Sequence, residues 1–211
     1  MYVINSKIQK IELSAQRQWV TDNFASGLTK SDENQLQSWN VASAGSGAIA
    51  WHKTGSIISG KIYCEISPRA RPADMVHTIG IATAGANQPW AGGIFGALQS
   101  SGGCGLPASG RNINGAITVG ATYGFTLNDI IMLAVDTAAQ KLWIGKNGSW
   151  LSGDPGTGGT EDIAIGADPY YFYSGMYSCF ISSGTFQNRI YNTSDNRNYP
   201  PPSGFTLYNE Q

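Results

Sequence analysis

Residues 127–160 read LNDIIMLAVDTAAQKLWIGKNGSWLSGDPGTGGT, with an Asn147-Gly148 pair set among apolar and aromatic residues. Asn-Gly in that setting is the strongest short-range hairpin signal, because a type I′ turn needs φ > 0 at both central positions. The spacing predicts strands over 130–136 and 141–146, a tight return at 149–151, and then a glycine-rich loop. A chain with this passage at its centre is committed to antiparallel pairing, and its remaining strands must extend that sheet or pack against it.

The composition agrees. Only 13% of the 211 residues are charged, the net charge is −1 and there are 27 glycines. Few Lys and Glu and many turn formers favour short strands over long helices. No basic excess exists to drive phosphate contacts, so nucleic acid is not an expected partner. No run of about 18 apolar residues suggests a membrane span, and MYVINSKIQKIEL has no secretory h-region. A chain of this length buries roughly 70% of its unfolded surface and needs no metal or disulfide staple. Cys64, Cys104 and Cys179 fit no zinc spacing. Cys64 and Cys179 lie in apolar runs and read as buried free thiols, which fits assembly in a reducing cytoplasm.

Two segments differ in pattern. In residues 1–26, Ile4, Ile8, Ile11, Ala15 and Trp19 roughly follow helical spacing, while Ile11, Leu13 and Ala15 also alternate. That segment reads as an N-terminal arm or a first strand, and residues 27–211 as one β-sandwich. In KIYCEI, Ile62, Cys64 and Ile66 share one face and Lys61, Tyr63 and Glu65 the other, the pattern of a half-buried strand. MVHTIGIAT alternates Met75, His77, Ile79 and Ile81 against Val76, Thr78, Gly80 and Ala82. Further strands are expected at 93–98, 116–124, 170–173, 177–182 and 185–191. Tyr199-Pro200-Pro201-Pro202 has too few amides for a central strand and reads as a surface edge or tail.

Four passages resemble the SPRY domain family. SGKIYCEI resembles its early strand, HTIGIAT the following one, YGFTLNDIIMLAVDTAAQKLWIGKNGSWL its central pair and PPPSGFTLYNE its terminal passage. Together they span roughly residues 36–210. Asn128 stands where the family usually has glycine, and CFISSGTFQNRIY replaces an expected Asn-Phe-Gly motif. The loop 153–160, GDPGTGGT, resembles that of phage-encoded members. The resemblance implies an all-β, concanavalin-like sandwich of two antiparallel sheets with a short N-terminal arm. Short alternating strands and frequent turn signals point the same way.

Chemical motifs are sparse. GDPGTGGT lacks the Gly-Lys-Ser/Thr ending of a phosphate loop and reads as a surface connection. No paired-carboxylate strand signature accompanies Glu65. Asp136 reads as a turn residue bonding the backbone of 137–140, and Glu161-Asp162 as solvated. His77, set among apolar residues, reads as a core or interface histidine rather than a catalytic base. Trp39, Trp51, Trp143 and Trp150 read as packing residues. Trp90 differs, because it sits in the loop Asn87-Gln88-Pro89-Trp90, where a flat aromatic can stack on a sugar or anchor a protein. Asn87, Gln88 and Trp90, with Arg111 and Asn112 on the next loop, are the candidate binding residues.

These readings lead to one expectation. The chain is a non-enzymatic bacteriophage virion protein, a capsid decoration or a tail component, assembled in the host cytoplasm. Residues 1–26 attach it to other virion proteins, with oligomers allowed, and its loops meet a host-surface glycan or protein. No cofactor or metal is expected. The alternatives are an intracellular SPRY adaptor for a peptide and, below it, a glycan-cleaving enzyme.

Overall fold

A computed structural model describes residues 19–20, 28–31, 36–44, 49–71, 75–86, 92–99, 109–178 and 182–210. Its strands are β1 (Trp19–Val20), β2 (Leu28–Ser31), β3 (Leu36–Ala44), β4 (Ile49–Thr54), β5 (Lys61–Ala70), β6 (Met75–Thr83), β7 (Ile94–Gln99) and β8 (Ser109–Ile113). There follow β9 (Ala116–Val119), β10 (Ile131–Asp136), β11 (Lys141–Lys146), β12 (Ser149–Trp150), β13 (Ile163–Ala164), β14 (Tyr170–Ser178), β15 (Ser182–Tyr191) and β16 (Thr206–Leu207). Short 3₁₀ turns occupy Ala121–Tyr123, Pro155–Thr157 and Tyr208–Glu210.

The strands form two sheets. One has the order β1-β4-β14-β6-β7-β8-β9, the other β12-β11-β10-β5-β15-β3-β2, with β13 also on β11 and β16 on β5. All pairings are antiparallel except β16 with β5. The two sheets make the expected sandwich. Trp19–Val20, inside the 1–26 segment, pairs with Thr54 and Lys53 at the edge of the first sheet. The rest of that segment lies outside the described residues.

The core between the sheets follows the period-2 pattern. Ile62, Cys64 and Ile66 of β5, Leu133 and Val135 of β10 and Ile144 of β11 meet Ile79 and Ile81 of β6 and Phe172 of β14. Cys64 is a buried free thiol, as its apolar run predicts. His77 is buried, its Nε2 2.9 Å from Ser174 Oγ, with Phe125 and Phe186 rings packed edge-on against it.

The second face of β5 differs from the expectation. Alternation predicts a half-buried strand, yet Tyr63 and Glu65 are as buried as Cys64. All six residues of β10 are buried too. The cause is the chain after Tyr191, which crosses the outer face of this sheet. Phe205 and Leu207 pack there on Tyr63, Met132, Ala134 and Trp143, forming a second apolar cluster. Trp143 and Trp150 therefore pack on the outside of the sheet, not between the sheets.

The hairpin forms as its sequence dictates. Asn147 and Gly148 have φ of 52° and 87°, the left-handed pair of a type I′ turn. Asn147 also ties the turn to the start of β10. Its Oδ1 accepts the Ile130 amide at 2.7 Å, and its Nδ2 donates to Asp129 Oδ1 at 2.7 Å. Asp129 Oδ2 accepts the Thr126 amide and hydroxyl at 2.7 and 3.1 Å. Asp136 caps the other end of β10, accepting the Ala139 amide at 2.9 Å, the turn role expected of it. The strand expected over 116–124 ends at Val119, because Gly120 turns the chain into a 3₁₀ turn that brings Tyr123 back towards β8.

Burial pushes the Asp129 carboxyl up, but the Thr126 and Asn147 hydrogen bonds and the Lys146 charge outweigh it and hold it below the usual carboxylate range. A group whose folded value is lowered stabilises the fold above its unfolded value, near pH 3.9, and loses that contribution as pH falls through the folded value. The melting-temperature gap between wild type and Asp129→Ala is therefore expected to be full at pH 6 and to close below about pH 4. Thermal melts at stepped pH check this; a gap that widens on acidification would contradict it.

Candidate binding cleft

The outer cluster positions a cleft. Its first requirement is that the chain after Tyr191 be held down, and the buried Glu65 does this. Glu65 Oε2 accepts the Asn198 amide and Asn198 Nδ2, each at 2.8 Å, and Oε1 accepts the Tyr199 amide at 2.7 Å and the Tyr63 hydroxyl at 2.8 Å. Burial, and then the adjacent Glu65 carboxylate, push the Tyr63 hydroxyl far above its ordinary value, so it stays a proton donor. Upstream, Asn196 Oδ1 accepts the Asn192 and Thr193 amides, each at 3.0 Å, and sets the turn that sends the chain outward.

The opposite wall is the glycine-rich loop. Asp154 accepts the Gly156 amide at 2.8 Å and caps the 3₁₀ turn Pro155–Thr157. Trp143 Nε1 donates to the Gly159 carbonyl at 2.9 Å and pins the loop to the sheet. Its far end is fixed by Asp162. The edge of β11 is shared by β12 and β13, which leaves the Ile144 amide between them. Asp162 Oδ2 accepts that amide at 2.6 Å, and Oδ1 accepts Ser152 Oγ at 2.5 Å and the Tyr123 hydroxyl at 3.2 Å. Asp162 is only 4% exposed, so the solvated role expected for it is corrected. Its neighbour Glu161 pairs with Lys141 at 3.1 Å on the surface.

Between these walls lies a half-open cleft of about 290 Å³. Asp154, Gly156 and Thr157, residues 199–203, and Met132, Gly148 and Trp150 line it, and Gly156 packs against Pro202 and Ser203. Trp150 and Tyr199 are partly exposed, while Met132 is buried beneath them. The arrangement offers flat aromatic and proline surface, hydroxyls on Thr157 and Ser203, and one carboxylate. The Pro200–Pro202 run in this lining sits at the surface as its missing amides predict.

Of the residues proposed from sequence, Asn87, Gln88 and Trp90 lie outside the described residues. Arg111 and Asn112 lie within strand β8, not on a loop as expected, because Ser109–Ile113 pairs with β7, and there they make contacts within the fold. Arg111 donates to the Asp162 carbonyl at 2.7 Å, and its guanidinium lies 5.4 Å from the Tyr123 ring centroid. Asn112 is buried and its Oδ1 accepts the Gly115 amide at 2.9 Å, shaping the turn between β8 and β9. Neither lines the cleft. Trp150, Tyr199 and Asp154 went unselected because their juxtaposition depends on contacts between distant segments. The Asn-Gly hairpin and the proline run were the available signals, read separately.

No family model matches the chain, and no curated protein matches it. Solved structures do. The SPRY domain of human HERC1 superposes with a TM-score of 0.53 at 16% identity, covering 77% of this chain and 91% of that one. The TRIM65 PSpry domain gives a TM-score of 0.53 at 11% identity, covering 90% of this chain and 100% of that one. The fold is SPRY-like. Against that frame Asn128 is accounted for. Its φ of 69° is a conformation that glycine adopts freely and asparagine tolerates.

Gly148 joins the hairpin to the cleft. A Cβ there would stand 2.7 Å from Tyr199 Cε1, besides straining a backbone at φ 87°. Gly148→Val is expected to lower stability by about 1–3 kcal/mol and to displace Tyr199 from the cleft wall. Denaturant unfolding measures the first and Tyr199 side-chain NMR shifts the second; an unchanged midpoint would refute the turn assignment.

Proposed function

We propose that this chain is a non-enzymatic binding module, attached to a bacteriophage particle through residues 1–26, that presents the cleft beside Trp150 and the neighbouring loops to a host surface. The observation that carries the binding reading is the cleft. It combines partly exposed aromatic and proline surface with one carboxylate, on a base held by buried hydrogen bonds. Concave sites that combine apolar and aromatic surface with a few placed polar groups are the usual form of a recognition surface. The phage setting is supported by the resemblance of the 153–160 loop, which forms one cleft wall, to phage-encoded SPRY members. A second reading, an intracellular adaptor for a short peptide, is favoured by the likeness in fold to the HERC1 and TRIM65 domains.

The test has two arms. Phage particles purified from a culture producing them are analysed by quantitative mass spectrometry, and the purified protein is sedimented with intact host cells. The proposal expects this chain in the particles at many copies per genome, and cell binding weakened about tenfold by Trp150→Ala in a variant that melts normally. Recovery only from the soluble cell fraction would overturn the phage setting in favour of the adaptor.

A further inference from the structure

The chemistry of the cleft selects among ligands. Its lining contains no Lys, Arg or His, and Asp154 contributes a negative charge. Phosphates, nucleotides and acidic sugars would meet repulsion with no cationic side chain in the lining to offset it. At about 290 Å³ the space is at the lower end of small-ligand sites, suited to a ring-sized group rather than a folded surface. A cationic ligand would compete for the same aromatic rings and for Asp154, one oxygen of which already accepts the Gly156 amide at 2.8 Å, so arginine amide is the rival probe. A hydroxyl needs only a single acceptor. The second Asp154 oxygen supplies it, with the Ser203 and Thr157 hydroxyls nearby in the same lining. Trp150 and Tyr199, both partly exposed in the lining, supply aromatic surface for the C–H side of a sugar ring.

We propose that the cleft binds an uncharged pyranose sugar, stacked on Trp150 and Tyr199 with a hydroxyl donating to Asp154. The proposal rests on the binding-module reading above and names its ligand class. Aromatic stacking provides the contact area, and the carboxylate fixes the ring's orientation through a charge-assisted hydrogen bond. Both walls are held to the sheet by buried hydrogen bonds, which keeps the ordering cost of binding low.

The experiment is calorimetric titration of the full chain with neutral oligosaccharides of glucose, galactose and N-acetylglucosamine, alongside galacturonic acid and arginine amide. The expected result is saturable binding of at least one neutral series and none of galacturonic acid or arginine amide. Trp150→Ala should weaken it tenfold or more. Asp154→Asn, which keeps the cap on the 3₁₀ turn, should weaken it several-fold; both variants are first shown to melt normally. Sugar binding unchanged in both variants would overturn the site. Binding of arginine amide, lost in Asp154→Asn, would overturn the ligand class while leaving the cleft as a binding site. If no probe binds, cell sedimentation separates the two failures. Adsorption lost in Trp150→Ala rejects the sugar and keeps the cleft, whereas adsorption unaffected by it rejects the cleft reading itself.

Discussion

A single buried carboxylate organises the outer half of this molecule. Glu65 is fully enclosed, and a carboxylate in that position costs several kcal/mol unless its lone pairs are satisfied. Two backbone amides, a side-chain amide and a phenol satisfy them. Hydrogen bonds to a charged group contribute about 1.5–3 kcal/mol each, so the set can offset desolvation only when all are made together. That condition gives the chain after Tyr191 one place to lie. With it in place, Phe205 and Leu207 cover Tyr63 and Trp143, burial of about 1.5–3 kcal/mol per large side chain. The apolar contacts supply most of the stabilisation, and the carboxylate fixes the register in which they are made.

The cleft follows from that register. Tyr199, whose own amide Glu65 holds, closes over Gly148, and the prolines after it form a wall without unpaired donors. Asp162 performs the same service for the opposite wall, filling the gap between β12 and β13. Each wall thus hangs from one buried acid, with the cleft beside them.

The local half of this design was legible in the sequence. The Asn147-Gly148 turn, the 141–146 strand, the Asp136 turn and the buried Cys64 and His77 depend on neighbours or on simple alternation. The outer cluster did not show itself, because Lys61, Tyr63 and Glu65 alternate as a solvent-facing set would. Only contact with residues 133 positions away makes Glu65 a buried tether. Asp162 was misread for a similar reason: its value lies in an amide of β11 that no local pattern reveals. Trp150 was recognised as a packing residue, and its partial exposure beside the proline run emerges only when the ends of the sandwich are brought together.

The central claim is that Glu65 holds the cleft wall to the sheet. Amide hydrogen exchange at Asn198 and Tyr199 tests it most directly, compared between wild type and Glu65→Ala with the amides of β10 as an internal reference. The account predicts strong protection of both amides in wild type and a large acceleration in the variant while β10 stays protected. Rapid exchange at Asn198 and Tyr199 in wild type, or protection there unchanged by the substitution, would contradict it.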